Sequence, residues 1–214
     1  MELIWFAIGN RDAIAGMALE HITIVGVAVG FAILTGVPLG IAITQNRRVA
    51  DIVLYVASII VTVPSIALFG LMIPILSTIG HGIGWLPAVI AILLYSQLPI
   101  VRNTYTAIPN VDPALREAAR GMGMTPLQRM WRVELPIAVP VIMAGVRTAV
   151  VMNIGVAAIA AYIGAGGLGV LISRGISQTD PRQLIIGAIA VSLLAITADQ
   201  VLYRIQKFLT PAGL

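Results

Sequence analysis

NVDPALREAARGMGMTPLQRMWRVELP, Asn110 to Pro136, is the longest polar interruption in a chain that is otherwise apolar. Asp112 before Pro113 reads as a helix start, because the carboxylate caps free backbone N–H groups and the proline sits where no donor is needed. Thr125 before Pro126 repeats that grammar, and Gln128 completes a capping box. Between the two starts, Gly123 is suited to the left-handed backbone that ends one helix and turns into the next. The expectation is a helix-turn-helix elbow over residues 112–134. On its first helix Leu115, Ala118, Ala119 and Met122 recur at helical spacing as an apolar stripe, and Arg116, Glu117 and Arg120 hold much of the remaining surface. The two alanines leave room for a partner surface to approach closely.

Outward from the elbow the chain belongs in a bilayer. Hydrophobic residues make up 59% and charged residues 10% of the 214, with a mean hydropathy of +1.00; an ordinary soluble domain carries ~25% charged residues. The expected fold class is an all-α integral membrane protein with five transmembrane helices, forming a single transmembrane domain over 1–214. The spans are expected at 22–43, 52–75, 83–101, 137–162 and 184–203, with the elbow between the third and fourth. Residues 1–20, which carry Glu2, Arg11, Asp12 and Glu20, read as an interfacial segment and not as a signal peptide. Gly26-x-x-x-Gly30 and Gly36-x-x-x-Gly40 in the first span invite close helix packing. The stretch after Gly169, with Arg174, Asp180 and Arg182, reads as an external loop.

Basic residues outside the spans set the orientation. Arg47, Arg48, Arg102, Arg116, Arg120, Arg129, Arg132, Arg204 and Lys207 fall on one side, and Arg11, Arg174 and Arg182 on the other. The positive-inside rule then puts the N-terminus outside and the C-terminus in the cytosol. The net charge of +4 is accounted for by these loops, which argues against nucleic acid as a partner.

Catalysis has little to work with. The chain has no cysteine and only two histidines, His21 and His81, so no metal set and no Ser-His dyad is expected. No G-x-x-x-x-G-K-[ST] phosphate loop occurs, so energy must come from another chain. Gly164-Ala165-Gly166-Gly167-Leu168-Gly169 matches G-x-G-x-x-G but follows a membrane helix, not a strand, so it reads as tightly packed or cavity-lining backbone. Arg147 lies deep in the fourth span and needs a partner; Asp199 in the fifth is the expected counter-ion, lining of the pathway by Arg147 being the alternative. Thr62, Ser65, Gln97 and Asn153 are polar groups at membrane depth, either interhelical glue or lining of a translocation path. Tyr95, Tyr162, Gly166 and Gly167 join them as candidates for that path.

The pattern Glu117-Ala118-Ala119, then Gly123, Val133, Leu135 and Pro136, resembles the EAA motif of bacterial ABC-importer permeases. More broadly, Gln97 to Gly169 and Gly36 to Thr44 are similar to the membrane subunits of glycine betaine, carnitine and choline importers. That resemblance implies a type I importer permease with a methionine-permease-like fold. It implies that Arg116, Glu117, Ala118, Ala119, Arg120, Gly123 and Met124 couple to the ATPase, and that ATP and Mg are bound by that partner, with no cofactor on this chain. It further implies a second permease subunit, identical or related, two ATPase subunits, an external substrate-binding protein and a place in the bacterial inner membrane. A permease for methionine or another small amino acid is the alternative; the run Asn103 to Leu115 favours the osmoprotectant group.

Overall fold

The computed structural model describes residues 1–210, and among them every regular element is helical. In chain order these are α1 (Glu2–Gly9), α2 (Arg11–Ile43), α3 (Arg47–Thr62), α4 (Ser65–Ser77), α5 (Trp85–Ala107), α6 (Pro113–Gly121) and α7 (Pro126–Arg129). A π-helical turn (Met130–Glu134) leads into α8 (Leu135–Ala160), a 3-10 turn (Ala161–Ile163), α9 (Gly169–Ser177) and α10 (Pro181–Leu209). Four helical segments are long and apolar enough to cross a membrane: α2, α5, the rod Pro126–Ile163 that contains α8, and α10. The pair α3 and α4 passes the same test together, but with a bend of 99°. The all-α membrane class therefore holds, with a fifth crossing only if the bent pair is counted as one.

The core forms where α2, α5 and α8 meet. On α2 the buried residues His21, Ile24, Val25, Ala28, Val29, Ala32, Gly36, Gly40 and Ile43 follow helical spacing, which makes one continuous inward stripe. Ala28, Ala32, Ala88, Ala91 and Ala149 are fully enclosed with Phe69, Ile92 and Ile100; small side chains between large ones let the backbones close up. At Gly40 α2 lies close against α5, since a Cβ there would lie 2.6 Å from the Cβ of Thr104. Gly26 and Gly30 have nothing within 4 Å of such a Cβ, so only the second of the two glycine pairs packs within this chain. The last long helix, α10, rides on the outside; Gly187 is its one buried residue.

Three expectations change. The span read as 52–75, with Pro64 and Pro74 as its interruptions, breaks only at the first: Val63 takes extended backbone (φ −68°, ψ 127°) before Pro64, which disfavours helix in its predecessor and has no N–H to continue the ladder, whereas Pro74 stays inside α4. Residues 11–20 are the first turns of α2 instead of a separate interfacial piece; only α1 is separate. The loop expected after Gly169 contains α9, whose Gly175 lies against the Leu184 backbone, where a Cβ would meet the Leu184 nitrogen at 2.5 Å. That close approach docks α9 on α10 and gives it a face to bury.

Candidate functional site

Two ends of the bundle carry the candidate residues. At one end is the elbow, built as its caps dictate: Asp112 accepts from the Ala114 N–H at 2.8 Å, and Thr125 and Gln128 form a reciprocal capping box at 3.3 and 2.9 Å. Gly123 has φ 76°, the left-handed backbone that glycine adopts without strain. Of the residues expected to couple, Glu117, Ala118, Arg120 and Gly123 are exposed and Met124 is half-buried, whereas Ala119 is enclosed within the chain. The apolar stripe is therefore split between inside and outside: Ala119 packs inward, and Leu115 and Met122 stay open, beside Leu127 and Trp131 of the second half.

Arg116 is also turned inward. It donates to the Ile108 carbonyl at the end of α5 and its Nε lies 3.5 Å from Glu134. Glu134 is 4% exposed and accepts from Arg129 Nε at 2.7 Å. Sequence reasoning passed over Glu134. The available signal was an isolated acid at the head of an apolar run with an arginine five residues before it, a spacing that an α-helix places ~140° apart around its axis. The i→i+5 repeat of the π-helical turn stacks the two instead, and Leu135 N–H bonds the Met130 carbonyl in that register. A cleft of roughly 1030 Å³ opens between this cluster and the end of α2, with Pro38, Ile41 and Trp131 in its walls.

At the other end, glycine backbone meets α2. Gly164, Gly166 and Gly167 all have positive φ. The Gly167 N–H donates to the Glu20 carboxylate at 3.0 Å, and His21, fully buried, pairs through Nε2 with the Ile154 carbonyl at 3.0 Å. Gly84 N–H bonds the Ile163 carbonyl at 2.7 Å, bringing the start of α5 to the same place. Gly166 and Gly167 are thus close to α2, while Tyr162 is 53% exposed. Beyond α9, Arg182 donates to Asp180 through Nε at 3.1 Å and holds that carboxyl low, at about 2.

Between the ends, Asn153 donates to Ser96 at 2.9 Å and to the Ala149 carbonyl at 2.9 Å, fully enclosed between α8 and α5. Tyr95 donates its hydroxyl to the Val63 carbonyl, which the bend before Pro64 leaves without a helical donor, so Tyr95 holds the bend that Thr62 and Ser65 flank. Gln97 donates to Thr35 at 3.0 Å, joining α5 to α2. The structure brings Arg147 and Asp199 together: the guanidinium donates from Nε and Nη2 to the two carboxylate oxygens at 3.0 Å each. Gln206 accepts from Arg147 and donates to the Pro140 carbonyl, and the guanidinium sits 5.0 Å from the Tyr203 ring centre. A charge at this depth is thereby matched by charge, amide and π face. Among the described residues no group of three metal-ligating side chains occurs.

Comparison with known proteins finds both sequence relatives and structural neighbours. The family model described as "Binding-protein-dependent transport system inner membrane component" matches residues 22–212. The chain is 56% identical, over the whole of both sequences, to the osmoprotectant import permease protein OsmW of Salmonella typhimurium. It is 42% identical to the choline transport system permease protein OpuBB of Bacillus subtilis, over 100% of this chain and 96% of that one. Among solved structures, the methionine ABC transporter MetNI in an inward-facing conformation superposes with a TM-score of 0.81 at 24% identity, over 92% of this chain and 96% of that chain. An amino acid ABC transporter with histidines matches at a TM-score of 0.76 and 19% identity, over 95% and 97%.

Proposed function

The chain belongs to the family of inner membrane components of binding-protein-dependent transport systems, and we propose that it passes a quaternary-ammonium osmoprotectant, of the glycine betaine, carnitine and choline class, across the cytoplasmic membrane by alternating access. It acts as the permease of an ATP-driven ABC importer. The observation that carries the substrate class is the 56% identity over the full length to an osmoprotectant import permease, against 24% to the methionine transporter, a level that speaks for the fold alone.

In this reading a second permease chain, two ATPase subunits and an external binding protein complete the machine, and ATP and Mg are held by the ATPases. The elbow faces the cytosol, as its arginines favour, and presents Glu117, Ala118, Arg120 and Gly123 to the ATPase beside exposed Leu127 and Trp131. The glycine end then faces outward. The aromatic side chains Phe31, Tyr55, Phe69, Tyr95 and Tyr162 are spread over α2, α3, α4, α5 and the 3-10 turn and differ in exposure. Phe69 and Tyr95 are buried, and Phe31, Tyr55 and Tyr162 are exposed. Selectivity for a quaternary ammonium, which aromatic cages supply, therefore rests with the binding protein, and this chain offers a weakly binding passage.

The test is ATP-driven uptake of radiolabelled glycine betaine into vesicles that hold the chain with its ATPase and binding protein. Choline, carnitine and methionine serve as competitors. Competition by the quaternary amines alone is expected. Competition by methionine alone would overturn the substrate class and leave the permease architecture standing.

A further inference from the structure

We propose that Glu134 is the positioning residue through which movement of the elbow is handed to α8. It stands at the last residue of the π-helical turn, directly before Leu135, with its side chain 5% exposed. One carboxylate oxygen faces Arg129 of α7 at 2.7 Å and Arg116 of α6 at 3.5 Å. Arg116 in turn holds the Ile108 carbonyl at the end of α5. A single carboxylate therefore joins both elbow helices, the end of one long helix and the head of the next.

The π-helical turn is what makes this joint possible. In regular α-helix Arg129 and Glu134 would lie ~140° apart around the axis, and α7 would lack this side-chain link to the head of α8. With the wider turn they meet, so a push on α7 reaches α8 through a largely buried ion pair, where charges are screened less than at an open surface. The Nε of Arg116 is buried without a hydrogen-bond partner and sits 3.5 Å from Glu134, which leaves it a short movement away from a second charged hydrogen bond. The cluster can thus tighten on one arm as it loosens on the other.

This inference rests on the reading of the elbow as the docking site of the ATPase, and the experiment separates the two. The full complex is reconstituted in vesicles, and ATP hydrolysis and glycine betaine uptake are measured together for Glu134→Gln, Arg129→Gln and Arg129→Lys. In assembled complexes the ATP consumed per substrate is expected to rise at least about fivefold for Glu134→Gln and Arg129→Gln, the lower bound of ordinary coupling between sites. Arg129→Lys, which keeps the charge, should stay near the parent ratio. An unchanged ratio in both glutamine variants overturns the proposal. Failure of both to assemble, with Arg129→Lys assembling normally, overturns it too, since the pair would then be holding the fold together and transmitting nothing. Leu127→Asp, on the open face of the elbow, tests the docking itself: undiminished co-purification of the ATPase would sink the elbow reading. Lost co-purification together with a parent-like ratio for Glu134→Gln would sink only the joint.

Discussion

The two ends of the bundle are fastened in different ways. At the glycine end each joint has backbone on at least one side: Gly84 N–H to the Ile163 carbonyl, Gly167 N–H to the Glu20 carboxylate, and His21 Nε2 to the Ile154 carbonyl. Toward the elbow end they are made by long charged side chains, Arg116, Arg129 and Glu134 in one cluster and Arg147 with Asp199 in another. A backbone partner has no rotamers with which to absorb a displacement, whereas in the ion pairs both partners are side chains, and the arginine keeps a planar fork of donors while it moves. The glycine end is thus built to hold one geometry, and the elbow end to keep its contacts while geometry changes.

The largest effect that would test this contrast is expected from Gly169→Val. A Cβ at Gly169 would lie 2.0 Å from the Ala158 carbonyl oxygen, so backbone must part from backbone, at or above the ~3 kcal/mol upper end of ordinary overpacking. The assembled protein should be lost or its thermal midpoint should fall steeply; an unchanged midpoint would show that the glycine end yields after all. Next come Arg147→Ala and Asp199→Ala. With side chains 24% and 31% exposed, each single change should cost about 2 kcal/mol, between surface and buried pairs. The double variant should be milder than either, because a lone charge at that depth is worse than none. Additive losses in denaturation would break the pairing.

A smaller effect sharpens the comparison at matched backbone. Gly123 and Gly167 have φ 76° and 77°, but an added Cβ meets nothing within 4 Å at Gly123 and lies 3.1 Å from His21 Nδ1 at Gly167. Gly123→Ala should cost only the left-handed strain of about 1 kcal/mol, and Gly167→Ala more, measured by thermal unfolding at equal expression. Equal costs would mean that packing at the glycine end contributes nothing. Gly123→Val should in addition lower uptake; unchanged uptake would count against the elbow. Smallest is the response of Asp180, an ionic contact at the otherwise backbone-fastened end. Its carboxyl is lowered by Arg182 to about 2, so its cap on Arg182 N–H contributes fully above the usual carboxylate range and is lost as pH falls through about 2. Amide exchange at Arg182 should stay protected at pH 4; loss of protection there would show that the cap does not hold.

Much of the architecture was legible because it is local. The caps at Asp112 and Thr125, the turn at Gly123 and the apolar spans follow from nearest-neighbour chemistry, and Arg147 needed an acid at its depth, for which Asp199 was a ready candidate. What escaped was non-local or broke the helical period. Pro38, Pro74, Pro99 and Pro140 stay inside helices while the chain breaks before Pro64, and nothing adjacent in sequence distinguishes them; the Val63 carbonyl finds its donor on Tyr95, 32 residues away. Gly26-x-x-x-Gly30 and Gly36-x-x-x-Gly40 read alike, and only the packing of α5 tells them apart. Glu134 was missed because the period assumed for reading its neighbours was 3.6, and the chain there winds wider.

The 99° bend between α3 and α4 raises a question of parity. Arg47 follows Ile43, which clusters with Ala50 and Val101 near the elbow end, and Gly84 is bonded to Ile163 at the glycine end. Residues 47–84, the bent pair with the loop after it, therefore carry the chain from one end to the other, however crookedly. Traversals along α2, the bent pair, α5, α8 and α10 come to an odd number, so α1 and the last turn of α10 lie at opposite poles. A straight rod would reach the same pole by the shortest route. The bent one sets α4 across the bundle, where its Phe69 plugs the core shared by α2, α5 and α8.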